Sequence, residues 1–102
     1  MIIVYTTCRN KKEASRIALH LIKSKLVACA NIFPISSIYR WKGRIYKENE
    51  YGIFLKTIGK NCKKVENAIK KMHSYELPAI IIIKTEASNS YNKWLKNELA
   101  GY

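Results

Sequence analysis

Hydrophobic residues recur with two different periods along this chain, one typical of strands and one typical of helices. Residues 1–7 form a run rich in β-branched side chains, which predicts a buried strand. Asn10 and Glu13 resemble a capping box, and apolar residues then return at helical spacing until about Lys25. The other predicted elements are strand segments over 27–33 and 35–41, a strand over 44–58, a helix over 62–72, a strand over 79–85 and a helix that begins near Ser88 or Asn89.

Three local signals shape the middle of the chain. Pro34 is expected to interrupt the second strand, because proline suits an edge or a bulge. Lys42 and Gly43 predict a tight turn, which makes residues 27–58 an unusually long hairpin. The polar residues 48–50 suggest that the third strand is irregular at that point.

The order β-α-β-β-α-β, followed by a terminal helix, is that of the α+β ferredoxin-like fold. In this fold two helices cover one face of an antiparallel four-stranded sheet. We expect residues 1–102 to form one such domain, with a long hairpin between its second and third strands and an extra C-terminal helix.

The predicted strands are apolar on both sides. Helices on one face alone would favour alternating apolar and polar residues. Strand one instead carries Ile2 and Val4 on one side and Ile3 and Tyr5 on the other, and isoleucine is continuous over 80–83. A contiguous exposed apolar face is rare in monomers, so we predict a closed homo-oligomer. The alternative is that the last helix and the loops cover the second face.

The charge balance leaves two interpretations open. Nineteen Lys and Arg residues face seven Glu and no Asp, for a net charge of +12. This balance favours anionic partners such as nucleic acid, an acidic membrane surface or a phosphorylated ligand. The lysines are spread along the whole chain, however, as they are on an ordinary solvated surface.

Aromatic side chains on the hairpin suggest the alternative function. Tyr39, Trp41, Tyr46 and Tyr51 lie among basic residues and could stack on bases, as in a nucleic-acid-binding ferredoxin-like module. Oligomer interfaces are also enriched in aromatics, and the RNP signature of RNA-recognition domains is missing. We therefore favour an interface, and nucleic acid is not the expected partner.

The cysteines and the apolar runs indicate a compartment. Cys8, Cys29 and Cys62 are odd in number and widely spaced, which favours reduced thiols in a cytoplasmic protein. The longest apolar run, residues 79–83, is far shorter than the ~20 residues of a membrane-spanning helix. The first residues do not resemble a secretory leader, and no membrane partner is expected.

Candidate chemistry is concentrated in residues 73–76, the sequence His-Ser-Tyr-Glu, which could bind a metal or move protons. Cys8 or Cys29 could add a soft ligand for copper(I), although a buried cysteine more often acts as a small hydrophobe. No glycine-rich phosphate loop and no GxSxG motif is present. A small phosphatase that uses Arg9 and Asn31 around an anion would rest on the fold alone.

Five stretches, in order and over nearly the whole chain, resemble the CutA divalent-cation tolerance family. They are KLVACANI at 25–32, SIYRWKG at 37–43, LKT at 55–57, HSYELPAII at 73–81 and YNKWL at 91–95. The resemblance implies a ferredoxin-like homotrimer, similar in architecture to nitrogen-regulatory signalling trimers, with ligand clefts between subunits. It implies no enzymatic reaction and no obligatory cofactor. Copper, another divalent cation or a small anionic ligand would be bound.

The resemblance also supplies candidate site residues. His73 and Cys29 are the metal candidates, and the ligand-cleft candidates are Tyr39, Trp41, Lys56, Tyr75 and Glu76. The chain departs from the family pattern at three places. Thr6 stands where some members have a cysteine, Met72 precedes His73 where they have a second histidine, and Ser74 replaces a proline.

Overall fold

The computed structural model describes residues 1–100, which contain four strands and three α-helices. None of these three helices combines the length and the hydrophobicity needed to span a membrane. In chain order the elements are β1 (Ile2–Cys8), α1 (Lys11–Lys23), β2 (Cys29–Trp41), β3 (Arg44–Thr57), α2 (Cys62–Met72), β4 (Ile80–Lys84) and α3 (Asn89–Leu99), with a 3-10 turn over Gly59–Asn61.

The four strands form one antiparallel sheet in the order β2-β3-β1-β4. β1 and β3 are therefore central, and β2 and β4 are the edges. Val4 shows the register, because it lies opposite Leu55 of β3 and Ile82 of β4. This topology confirms the predicted ferredoxin-like fold with its extra C-terminal helix.

The two irregularities predicted within the hairpin are not observed. β2 continues through Pro34, which pairs with Tyr51. Because β2 is an edge strand, a residue without an N–H group need not break the ladder. β3 is equally regular across residues 48–50, since each of them pairs with a residue of β2.

Helices α1 and α2 cover one face of the sheet and form the main core with it. The side-chain oxygen of Asn10 accepts a 2.8 Å hydrogen bond from the Glu13 N–H, which caps α1 as predicted. Ile17, Leu21 and Ile69 are fully buried members of the helical apolar stripes. Burial stabilises each of them by about 1.5–3 kcal/mol relative to exposure, so this layer anchors the fold.

An aromatic cluster occupies the opposite face of the sheet. The Phe54 ring lies 4.9 Å from the Phe33 ring and 5.6 Å from the Tyr5 ring, both in edge-to-face geometry. These residues come from three adjacent strands, and Tyr5 and Phe54 are directly paired. The second face of the sheet is therefore apolar, as the strand pattern predicted.

Helix α3 covers part of this second face. It lies against β3, with Leu95 fully buried and with the Lys56 ammonium group 5.4 Å from the centre of the Tyr91 ring. Farther along the same face, Ile81 and Ile83 of β4 are still 50% and 40% exposed. Within the described residues 1–100, the last helix thus leaves an apolar strip, Ile81 and Ile83, uncovered.

The outer half of the β2–β3 hairpin projects beyond the rest of the sheet. Residues 35–41 and 44–50 pair with each other but with no third strand in the described chain. At the tip, Lys42 and Gly43 have φ angles of 49° and 80°, the left-handed values of a two-residue hairpin turn. The projecting arm extends the molecule to 45 Å along its longest axis, whereas its shortest axis measures 21 Å.

Gly52 is a backbone position at which the aromatic cluster leaves no room for a side chain. A Cβ atom there would lie 2.7 Å from Phe33 Cε2 and 3.2 Å from Tyr5 Cε1. We expect Gly52→Ala to lower the free energy of unfolding by about 1–3 kcal/mol, because packed rings have to move. Gly59→Ala is the control, since nothing lies within 4 Å of its Cβ. Urea unfolding compares the variants, and equal effects would contradict the close packing.

Candidate functional site

A cleft of about 1040 Å³ opens where the projecting hairpin meets the segment between α2 and β4. Four of the five predicted cleft residues line it, namely Tyr39, Trp41, Tyr75 and Glu76. Strand β1 supplies the floor of the cleft and the hairpin supplies one wall. The remaining lining residues are Tyr5, Thr7, Ser36, Ser37, Ile38, Glu50, Leu77, Pro78, Ala79 and Ile81.

Two tyrosine–glutamate pairs occupy this region. The Tyr75 hydroxyl donates a 2.5 Å hydrogen bond to Glu50 Oε2, and the Tyr39 hydroxyl donates a 2.7 Å hydrogen bond to Glu48 Oε1. Burial and the Glu50 carboxylate raise the pKa of Tyr75 far above its usual range. The hydrogen bond to Glu48 raises the pKa of Tyr39 to about 12. Both phenols are therefore protonated donors at neutral pH.

Among residues 1–100, the charged groups that line the cleft are the carboxylates of Glu50 and Glu76. Glu50 is only 6% exposed, whereas Glu76 is open to solvent. Lys42 Nζ approaches Glu76 Oε2 at 4.0 Å, but so exposed a pair contributes little. A cleft with this lining suits a neutral or cationic ligand. The small anion predicted from the family resemblance would need basic groups from a neighbouring subunit.

His73 connects the end of β1 to the segment that borders the cleft. Its Nε2 atom lies 2.7 Å from the carbonyl oxygen of Thr7, and its Nδ1 atom accepts a 3.0 Å hydrogen bond from the Tyr75 N–H. A carbonyl can only accept and an N–H can only donate, so we assign the neutral Nε2–H tautomer. The imidazole thereby holds Tyr75 in place, with the two rings 4.7 Å apart.

His73 also belongs to a group of three residues that offer three kinds of metal-ligating atom. The sulfur of Cys8, a carboxylate oxygen of Glu13 and a ring nitrogen of His73 all lie within 4.8 Å of one another. Cys8 Sγ is 3.8 Å from His73 Nε2. Glu13 Oε2 accepts a 3.0 Å hydrogen bond from the Ser74 N–H, so α1 and the α2–β4 segment meet here.

The chemistry of these donors fits a borderline or soft divalent cation. Thiolate, imidazole and carboxylate together are ligands that zinc and copper accept. Burial, with help from the Glu13 and Glu50 carboxylates, raises the pKa of the Cys8 thiol to about 12. Burial also acts to raise the pKa of Glu13, but hydrogen bonds from Ser74 and Arg9 outweigh it and the pKa is lowered. Coordination would therefore release a proton from Cys8.

Cys29 and Lys56 lie away from both the cleft and this group. Cys29 pairs with Lys56, and Lys56 pairs with Ile3, so the three residues form one row across the sheet. His73 contacts Thr7, which lies four residues farther along β1, or about 13 Å at the rise of a strand. The strand register therefore keeps the two predicted metal residues, Cys29 and His73, from sharing a site within one chain.

From the sequence, Cys8 is expected only as a possible soft ligand, and Glu13 and Glu50 are not predicted as site residues. Glu13 is explained locally as part of the α1 cap, and Glu50 belongs to a polar stretch of the hairpin. The available signal is compositional, since both are acidic residues in a chain that has only seven. Their partners, Ser74 and Tyr75, lie far away in sequence, so only the fold reveals the contacts.

Comparison with known proteins finds close relatives over the whole chain. The family described as CutA1 divalent ion tolerance protein matches residues 2–98. The divalent-cation tolerance protein CutA of Thermotoga maritima is 37% identical over 100 residues, which cover 97% of this chain and 99% of that protein. The protein of the same name from Pyrococcus horikoshii is 39% identical, with 96% and 97% covered.

Solved structures show the same architecture. The periplasmic divalent cation tolerance protein CutA of Archaeoglobus fulgidus superposes with a TM-score of 0.94 at 35% identity, with 98% of this chain and all of that chain covered. The PII-like protein CutA of a Nostoc species gives a TM-score of 0.91 at 30% identity, with both chains fully covered.

The fold and its cleft define a ferredoxin-like α+β protein with the architecture of these PII-like structures. The chain belongs to the CutA1 divalent ion tolerance family. That membership confirms the family resemblance found in the sequence, and it connects the protein with tolerance to divalent cations.

The Tyr75–Glu50 pair makes a testable contribution to stability. We expect Tyr75→Phe to lower the free energy of unfolding by about 1–3 kcal/mol, because it leaves a buried carboxylate without its donor. Tyr39→Phe removes the matching hydrogen bond to Glu48 at the exposed part of the hairpin and should lower the free energy of unfolding by less than Tyr75→Phe does. Urea unfolding at neutral pH measures both. Equal losses would show that the Glu50 carboxylate does not depend on Tyr75.

Proposed function

We propose that this protein is a non-enzymatic homotrimer of the divalent-cation tolerance system. It binds copper or another divalent cation through Cys8, Glu13 and His73 and a small ligand in clefts between its subunits. The observation that carries the proposal is the convergence of a sulfur, a carboxylate oxygen and an imidazole nitrogen within 4.8 Å. The family's link to divalent-cation tolerance supports it.

Each residue of the group has a definite part in binding. To free Nε2, His73 would give up its hydrogen bond to Thr7, and its ring proton would move to Nδ1, which would then no longer accept from the Tyr75 N–H. Cys8 would lose its proton, and Glu13 would offer the oxygen that Ser74 now holds. The fold already brings these three side chains together from β1, α1 and the end of α2.

Metal binding can be tested by titrating the reduced protein with copper or zinc against a competing chelator. We expect Cys8→Ser and His73→Gln each to weaken affinity by more than about 10-fold, because each removes a direct ligand, and loss of a residue that only supports a ligand already costs about 10–100-fold. Cys29→Ser is the control, since the register places Cys29 in another row of the sheet. Circular dichroism confirms that the variants fold. Unchanged affinity in both ligand variants, or an equal loss in Cys29→Ser, would contradict the site.

A trimer is supported by the apolar surface that one chain leaves open. Ile81 and Ile83 of the apolar strip are 50% and 40% exposed, and Ile38 and Ile45 on the projecting hairpin are 71% and 65% exposed. Contiguous apolar surface and free strand edges are both unfavourable in a monomer. Packing of the strip and the hairpin on neighbouring copies would bury the exposed apolar surface and cover the free strand edges.

Assembly can be tested with two substitutions of similar exposure. Ile81 and Leu19 are 50% and 54% exposed, but Ile81 lies on the open face of the sheet and Leu19 on the outer surface of α1. We expect Ile81→Asp to shift the protein to smaller species, because a carboxylate would be buried at the interface, while Leu19→Asp keeps the wild-type mass. Size-exclusion chromatography with light scattering reports the mass. Identical behaviour of the two variants would contradict the interface.

We further propose that the protein works in the cytoplasm. We also propose that the cleft binds its ligand without catalysing a reaction. Cys8, Cys29 and Cys62 are all free thiols, which supports a reducing compartment. The Tyr75–Glu50 and Tyr39–Glu48 pairs provide hydrogen-bonding groups for a polar ligand. Because the metal group and the cleft share His73 and its neighbour Tyr75, occupancy of one site can affect the other.

A further inference from the structure

The layer formed by α1, the 3-10 turn and α2 carries more than half of the net positive charge of the chain. These 27 residues contain nine of the nineteen basic residues and two of the seven acidic ones. One of the two acids, Glu13, is buried. The lysines are spread along the sequence, so the concentration arises only when the fold sets the two helices side by side.

The cations occupy both ends of this layer. Helices α1 and α2 each follow one of two antiparallel strands, so they run in opposite directions, and Arg16 Nη2 donates a 3.1 Å hydrogen bond to the Met72 carbonyl where they meet. One end of the layer has Lys11, Lys12, Arg16, Lys70 and Lys71, and the other end has Lys23, Lys60, Lys63 and Lys64.

Most of these cations have no acidic partner. Within residues 1–100, Lys70 is the one member of the nine that forms an ion pair, with Glu66 at 2.9 Å. The side chains of both helices that face outward are otherwise neutral or basic. The layer is therefore a source of uncompensated positive potential, and it attracts polyanions.

Four lysines also occupy positions that are unfavourable for the stability of their helices. Lys11 and Lys12 lie in the first turn of α1, and Lys63 and Lys64 lie in the first turn of α2, which contains no acid. Positive charge near a helix N-terminus opposes the helix dipole, so acidic residues are favoured there. Local stability does not explain these lysines, which points to an interaction with something outside the chain.

From this pattern we infer that the α1–α2 layer is a binding surface for the phosphate backbone of nucleic acid, without sequence preference. Helix α1 has 13 residues and is about 20 Å long, which matches roughly a dozen charges of a duplex. Leu19 is the one large hydrophobic side chain exposed on the described layer, too little to insert into a lipid surface. The surface is separate from the hairpin aromatics, and of the metal group only Glu13 belongs to α1, where it is buried.

The test measures binding of the full chain to a labelled duplex DNA of mixed sequence by fluorescence anisotropy. Lys63→Glu/Lys64→Glu changes the patch, and Lys93→Glu/Lys96→Glu on α3 changes the net charge by the same amount elsewhere. The patch variant should weaken binding more than tenfold. It should also reduce the magnitude of the slope of log K against log salt concentration by about 2. The α3 variant should stay within about twofold of wild type.

Folding does not confound this comparison, because glutamate at the start of α2 complements the helix dipole and should hold or raise the melting temperature. Three outcomes would overturn the inference. They are equal losses in the two variants, no wild-type binding at about 50 mM salt, and tighter binding to vesicles rich in phosphatidylserine than to the duplex. None of them depends on metal binding or on the trimer, so the proposed function can fail or hold independently.

Discussion

A sheet that is apolar on both faces, with only two helices available for the first, is the constraint on which the rest of this structure depends. Side chains such as Val4 and Leu55 are buried beneath α1 and α2, while Tyr5 and Phe54 form an aromatic cluster on the other side. Helix α3 covers only part of that cluster's face. Formation of a closed assembly is the simplest way to cover the remainder, and the long hairpin supplies further surface for it.

The same packing also positions the side chains of the candidate site. The end of β1 places the Thr7 carbonyl and the Cys8 thiol beside the last turn of α2, and His73 connects the two elements through a hydrogen bond. Tyr75 is then held above Glu50 at the base of the hairpin. The candidate metal group and the cleft are thus two sides of one small network, which is attached to the central strand β1.

Patterns of short range explain what could be predicted from the sequence. Helical spacing, the Asn10 cap and the Lys42–Gly43 turn act within a few residues, and they place the elements nearly as observed. The family resemblance added four of the residues that line the cleft. Contacts between distant residues were not predictable in this way, because strand register decides that His73 meets Cys8 and not Cys29. The basic layer likewise depends on how the two helices lie together.

The most direct test of the central constraint is the mass of the unmodified protein by sedimentation equilibrium, over a dilution series to low micromolar concentration. A sheet that needs other copies to cover it predicts a multiple of the 11.8 kDa of one chain, with little dissociation on dilution, and the proposed trimer sets that multiple at three. A folded, soluble species of 11.8 kDa throughout the series would show that one chain satisfies its own surface, and would contradict the assembly.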